Sequence, residues 1–262
     1  MIRGRALKQE ERMSKIEWTD KTWNVITGCT QTSPACQNCY AKAMTRRLKA
    51  MKLKKYASGW DKIVFHEDIL NEILTKKYPH GIKIFVNSMS DTFHEDISDH
   101  KIKKLFIMMN QRVDLTFQVL TKRAKRMFEF ISTNKDILTP NIQLGVTAEN
   151  QEMFNQRVKY LAPLKEMQIT TFVSCEPLLE SIDISEYIDC INWVIVGGEK
   201  AYKKGRIMEY EWVKDIYSQC QKNQTPFFFK QWGDCEKKIK LSMQGIENDL
   251  LHKIENTKEF PI

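Results

Sequence analysis

Three of the seven cysteines, Cys29, Cys36 and Cys39, fall within eleven residues. Their spacing is C-x6-C-x2-C, in the segment Gly28-Cys29-Thr30-Gln31-Thr32-Ser33-Pro34-Ala35-Cys36-Gln37-Asn38-Cys39-Tyr40. Three thiolates suit a [4Fe–4S] cluster in which each holds one iron and the fourth iron is left for an outside ligand. Zinc is the competing reading, but a structural zinc site wants a fourth Cys or His at short spacing. The nearest histidine, His66, lies far along the chain, so only the fold could bring one in. Buried structural cysteines are a third reading, and a loop of Gln, Thr, Ser and Asn is poor core material. The count of seven is odd and the N-terminus has no apolar signal core. A disulfide framework is therefore not expected, and the cysteines point to a reducing, cytoplasmic setting.

Such a loop must be held by regular elements. Short β-type runs at Trp23–Thr27, Ile82–Asn87, Leu115–Leu120, Ile142–Val146, Ile169–Ser174, Trp193–Val196 and Pro226–Phe229 alternate with amphipathic runs. The amphipathic runs are Cys39–Met51, His100–Gln111, Lys122–Ser132, Asn150–Leu161 and Tyr210–Lys222. Several of the β runs are apolar nearly throughout, as strands covered on both faces are. The alternation predicts an α/β fold with right-handed crossovers: a complete or partial (β/α) TIM-like barrel, with an open doubly wound sheet as the alternative. Residues 1–12 read as a flexible N-terminal extension, 13–239 as the barrel and 240–262 as a short C-terminal appendage. Residues 52–81 form a long insert whose Trp60 and Phe65 suggest that it packs.

In a parallel barrel, function collects where strands end. The predicted strands run out into Gly28-Cys29, Asn87-Ser88-Met89-Ser90-Asp91, Thr121-Lys122-Arg123, Thr147-Ala148-Glu149-Asn150, Ser174-Cys175-Glu176, Gly197-Gly198-Glu199 and Lys230-Gln231-Trp232. Each alone has a plain explanation, since polar residues cap the following helix. Together they predict a charged, polar rim. The chain has a formal net charge of +8 and a pI near 9.0. That balance is compatible with a nucleic-acid partner, though a solvated helix face explains runs such as Thr45-Arg46-Arg47-Leu48-Lys49 equally well. No stretch approaches the ~20 apolar residues of a membrane span, so no membrane is expected as a partner.

The stretches IEWTDKTWNVITGC, SPACQNCYA, IFVNSMSDTFHED, VLTKR, LGVTAEN, SCEPLLE, WVIVGGE and PFFFKQWG run from Ile16 to Gly233. With them the sequence resembles a phage and bacterial family of radical-S-adenosylmethionine-like proteins of poorly characterised function. The resemblance implies a radical S-adenosylmethionine barrel with two cofactors, a [4Fe–4S] cluster and S-adenosylmethionine. It implies reductive cleavage of the latter to a 5′-deoxyadenosyl radical, and a reductant such as a flavodoxin or ferredoxin. The sequence departs from the usual C-x3-C-x2-C spacing in its longer first gap, and Asn38 rather than an aromatic residue precedes Cys39.

By position, the resemblance assigns the cluster to Cys29, Cys36 and Cys39. It places Tyr40 against the adenine or the cluster, a core aromatic in the first turn of the helix being the alternative. Ser88, Ser90 and Asp91 fall where the cofactor's amino group is usually held. Thr147, Glu149 and Asn150 fall near its ribose or carboxylate, and Gly197 and Gly198 where close backbone approach is needed, a tight turn being the alternative for that pair. Lys122, Arg123, Glu176, Glu199, Lys230 and Gln231 are left for a substrate, with nucleic acid or a nucleotide as the first expectation. Lys122 could instead pair with Glu149 or Glu176. Cys175 reads as an inert core thiol or a hydrogen-atom donor. Two other functions remain open: a non-enzymatic nucleic-acid-binding protein stabilised by zinc or a cluster, and a cluster protein that does not cleave its cofactor.

Overall fold

The structure, a computed structural model, describes residues 14, 16–201, 205–236 and 248–261. The expected extension 1–12 and residues 240–247 lie outside them. Seven parallel strands form one sheet: β1 (Lys21–Trp23), β4 (Lys83–Val86), β5 (Thr116–Thr121), β6 (Ile142–Thr147), β7 (Thr171–Cys175), β8 (Trp193–Gly197) and β9 (Phe227–Gln231). They lie side by side in that order, and the sheet curls into a half-barrel. Helices α4 (Asp99–Asn110), α5 (Ala124–Thr133), α6 (Gln151–Val158), α7 (Ala162–Glu166) and α8 (Tyr210–Lys222) fill the crossovers. Helix α1 (Tyr40–Ala50) follows the cysteine loop, and the short helices α2 (Glu67–Leu70) and α3 (Glu72–Thr75) belong to the insert. No helix among the described residues is long and apolar enough to cross a membrane.

Strand side chains alternate between two cores, as the pleat requires. Val119, Val146, Val173, Val194 and Phe229 face the helices. Phe85, Phe172, Trp193, Ile195 and Phe228 face inward and, with Trp18, plug the barrel. Strands β7 and β8 are buried throughout, which accounts for their apolar sequence. Gly145 sits beside Phe172 in the β6–β7 register. A Cβ there would lie 2.5 Å from the phenylalanine ring, so the aromatic plug requires the glycine.

Three elements depart from the expected pattern. The predicted strand Trp23–Thr27 is two: after β1 the chain leaves the sheet, and β2 (Ile26–Thr27) pairs antiparallel with β3 (Val64–Phe65) of the insert. Two asparagines make the break. Asn24 Oδ1 accepts from Ser88 Oγ and Met89 N, and Asn87 Oδ1 accepts from Ile26 N at 2.9 Å. The predicted helix Asn150–Leu161 stops at Val158, and a second helix restarts with Pro163 in its first turn, where the missing N–H costs nothing. The C-terminal residues are built into the barrel rather than set apart. Helix α9 (Asn248–Asn256) leads to Thr257–Glu259, whose backbone bonds to Phe227 and Phe229 of β9. Trp193 Nε1 donates to Glu259 O at 2.8 Å, and Phe260 packs 5.4 Å from the Trp193 ring. Lys258 pairs with Glu17 at 2.9 Å, tying this segment to the N-terminal side of the open barrel.

Candidate active site

The cysteine loop begins at Gly28, whose φ of +86° is open to glycine without strain. A Cβ there would lie 2.3 Å from Lys62 O, so the insert closes directly on the loop. Cys29 N donates to Trp60 O at 3.1 Å. Residues Pro34–Cys36 make one 3₁₀ turn, and Cys39 is the N-cap of α1. All three cysteines are half-buried and line one cavity of about 930 Å³ at the C-terminal ends of the parallel strands.

The charged strand ends hold this loop. Glu149 is fully buried. Its Oε1 accepts from Ala35 N at 3.2 Å, and its Oε2 from Arg157 Nη1 at 2.8 Å. Burial is the largest influence and works against the charge on Glu149, but Arg157, the bonds from Ser33 and Ala35 N, and the nearby Lys122 together outweigh it and hold the carboxyl below its ordinary value. Glu199 accepts from Asn38 Nδ2 at 2.9 Å and from the backbone and guanidinium of Arg206. Arg206 also donates to Pro34 O at 3.1 Å. The carboxyl of Glu199 is likewise held low: burial opposes the charge, and the bonds from Arg206 overcome it.

Arg123 stands at the first cysteine. It donates through Nη1 to Cys29 Sγ at 3.7 Å and to Asp91 Oδ2 at 3.2 Å, and through Nη2 to Thr30 Oγ1 at 2.9 Å. Its Nε is shared by the two Glu95 oxygens. Thr30 Oγ1 also meets His94 Nε2 at 2.8 Å, while His94 Nδ1 accepts from Asp96 N. The ring is therefore neutral with its proton on Nε2. Burial and the neighbouring Arg123 both keep its pKa below the ordinary histidine value. Burial pushes the Cys29 thiol up to about 11, Asp91 adding to the effect and Arg123 opposing it. Burial also opposes ionisation of Cys36, but Lys122 and bonds from Thr32 and Ser33 prevail, and that thiol lies below its ordinary value.

Most other rim residues named from the sequence meet in the same cavity. Tyr40, Ser88, Ser90, Asp91, Lys122, Arg123, Thr147, Glu176, Gly198, Glu199, Lys230 and Gln231 all line it. Glu149, Asn150 and Gly197 do not. Asn150 is the N-cap of α6, accepting from Met153 N at 2.8 Å. Gly197 gives room to Glu176, and Gly198 to the Trp232 carbonyl, with which a Cβ would collide at 2.2 Å. Asp91 lines the cavity but is engaged: Thr121 Oγ1, Phe93 N, Lys122 N and Arg123 occupy its four acceptor positions. Glu176 accepts from Trp18 Nε1, Ser174 Oγ and, at 2.5 Å, Lys230 Nζ. Gln231 bonds the Gly198 carbonyl at 2.8 Å. Tyr40 is 45% exposed and donates to Ser88 O at 2.6 Å, so its ring forms a wall of the cavity. Cys175 is buried on the helix-facing side of β7, where burial raises its thiol.

Lys122 differs from the other cations named from the rim. It projects into the cavity without a hydrogen bond or ion pair to its ammonium among the described residues, so neither expected partner, Glu149 nor Glu176, holds it. The residues that sequence reasoning passed over are Thr30, Asn38, His94, Arg157 and Arg206. Thr30, Asn38 and His94 fall inside stretches already recognised as distinctive; Arg157 and Arg206 carry no such signal.

Among the described residues, no three His, Cys, Asp or Glu side chains are placed to hold one metal ion. Three thiols lining one cavity are the donor type that an iron–sulfur cluster takes, one thiolate to each iron.

No curated protein matches the chain. Among solved structures, a cysteine-to-serine mutant of spore photoproduct lyase is similar in fold, with a TM-score of 0.52 and 10% identity over 85% of this chain and 78% of that one. Spore photoproduct lyase complexed with dinucleoside spore photoproduct matches with a TM-score of 0.48 and 12% identity, over 87% and 80% of the two chains. The family profile described as "Protein of unknown function (DUF5131)" matches residues 13–259, and the chain belongs to that family.

Proposed function

We propose that the protein is a radical S-adenosylmethionine enzyme whose cluster is held by Cys29, Cys36 and Cys39. The observation that carries this reading is the braced three-cysteine loop opening on a cavity of about 930 Å³ at the strand ends. That volume lies near the upper end of small-molecule sites, and leaves room for a cofactor and part of a substrate. When bound, the cluster would supply the electron that cleaves S-adenosylmethionine to a 5′-deoxyadenosyl radical.

The chain's own groups bind, orient and shield. Lys122 is the cation available to a carboxylate entering the cavity. Arg123 sets a fixed positive charge beside the Cys29 sulfur, where a thiolate would need one. Glu149, Glu199 and Arg206 hold the loop still, so that Cys29, Cys36 and Cys39 would keep a cluster at the wall of the cavity. Tyr40 walls one side. Trp18 and the aromatic plug close the floor and exclude water from below. Glu176 and Lys230, paired with each other, keep the inner wall polar without leaving a bare charge.

The test is anaerobic reconstitution with iron and sulfide, followed by incubation with S-adenosylmethionine and a reductant. Near four irons per chain and formation of 5′-deoxyadenosine are expected of the [4Fe–4S] reading. Both should be lost in Cys36→Ala. Stoichiometric zinc without cofactor cleavage would instead make this a metal-stabilised binding protein.

A further inference from the structure

A second cavity, of about 210 Å³, runs along helix α1 beside the first. Lys42, Trp60 and Asp61 line both, so the two spaces share a wall. Lys42, Arg46 and Lys49 follow i, i+4, i+7 spacing, and therefore project from one face of α1 into it. None has a hydrogen bond or ion pair to its charged group among the described residues. Like charges four residues apart destabilise a helix, so this row gives α1 nothing by itself.

Between these cations lies Thr45. It is fully buried, its hydroxyl has no hydrogen-bond partner, and it lines the same cavity. Buried hydroxyls are ordinarily paired. An unpaired donor flanked by three cations is matched by an anion with several acceptor oxygens. Asp61 is the acidic residue of the lining and lies at the boundary with the larger cavity. Trp60 adds an aromatic face at that boundary. Beyond the helix end the positive surface continues through the exposed Lys52 and Lys54.

We infer that this second cavity binds a backbone phosphate of a nucleic-acid strand, holding it so that an adjoining nucleoside reaches the larger cavity. The inference rests on reading the larger cavity as the place of chemistry, and it names the substrate class for that site. An extended strand fits better than a free nucleotide because the cationic row outruns one phosphate. A base entering the larger cavity would have to leave its stack, which is least costly in a single strand.

The experiment is equilibrium binding of a short labelled single-stranded oligonucleotide across a salt series, using the full chain both as purified and after reconstitution. The double variant Arg46→Gln/Lys49→Gln should bind about tenfold more weakly at moderate salt, with a salt slope shallower by about 0.7 for each phosphate no longer neutralised. Thr45→Val, which keeps the shape and removes the hydroxyl, should also weaken binding. Arg47→Gln, an equal loss of charge on the same helix outside the cavity, should not. Equal weakening in Arg47→Gln, or none in the double variant, would overturn the site. Inorganic phosphate and a nucleoside monophosphate are the competitors. If the monophosphate binds as tightly as the strand, the ligand is a free nucleotide and the strand assignment falls. Binding is read without cofactor cleavage, while 5′-deoxyadenosine formation by the wild-type protein reports separately on the larger cavity.

Discussion

At the residue scale, the acidic side chains of the rim serve two different ends. Glu149 and Glu199 brace the cysteine loop, and Asp91 secures Arg123 beside it. Polar residues at seven strand ends were legible in the sequence as a converging rim. Their division between brace and ligand was not, because it depends on partners such as Arg157 and Arg206 that no motif marks. Lys122→Gln should therefore weaken S-adenosylmethionine binding by about tenfold or more, the worth of a charged hydrogen bond, while leaving iron content unchanged; calorimetric titration checks this. Glu149→Gln should behave in the opposite way. It leaves Arg157 buried without its counter-charge and should cost about 3–5 kcal/mol of stability at neutral pH. The sign with pH follows from the lowered carboxyl. Glu149 titrates below its ordinary value of 4.5, so its contribution is complete above that pH and is lost as pH falls through the folded-state value. Urea unfolding at a series of acid pH values should show a steeper loss in the wild type than in Glu149→Gln.

At the scale of elements, six of the seven strands of the parallel sheet could be read from apolar runs, because strands covered on both faces have little else in them, whereas β1 shares only Trp23 with its predicted run. The boundaries that moved did so where a side chain took over a backbone bond. Helix α5 was expected from Lys122 but starts at Ala124. The amides of Lys122 and Arg123 are claimed by Asp91 Oδ2 and Thr121 Oγ1. Such long-range claims leave no periodic trace. The same holds for the insert, whose short strand β3 pairs with β2 and whose Lys62 carbonyl faces Gly28. The packing makes its own prediction. Gly145→Val would drive a side chain into the Phe172 ring and should destabilise the fold by about 1–3 kcal/mol, seen as a lower urea midpoint. Phe172→Ala, which empties part of the plug, should cost about 3–5 kcal/mol.

At the scale of the whole molecule, an open half-barrel is closed below by aromatic rings and left accessible above at the cysteines. The C-terminal segment belongs to that closure: Phe260 packs on Trp193 and Phe228, and Lys83 Nζ lies 4.3 Å from its ring centre. Its role was hidden in the sequence, since a single Phe near a chain end has no period to betray it. Three thiols lie above a sealed floor, with fixed cations beside them. The low-temperature spin-resonance spectrum of the reduced, reconstituted protein, recorded with and without S-adenosylmethionine, probes that site without intermediary. A [4Fe–4S] signal is expected whose shape changes when S-adenosylmethionine is added, and which is absent in Cys36→Ala. A cluster signal indifferent to S-adenosylmethionine, or no cluster signal after reconstitution, would contradict the radical-enzyme reading.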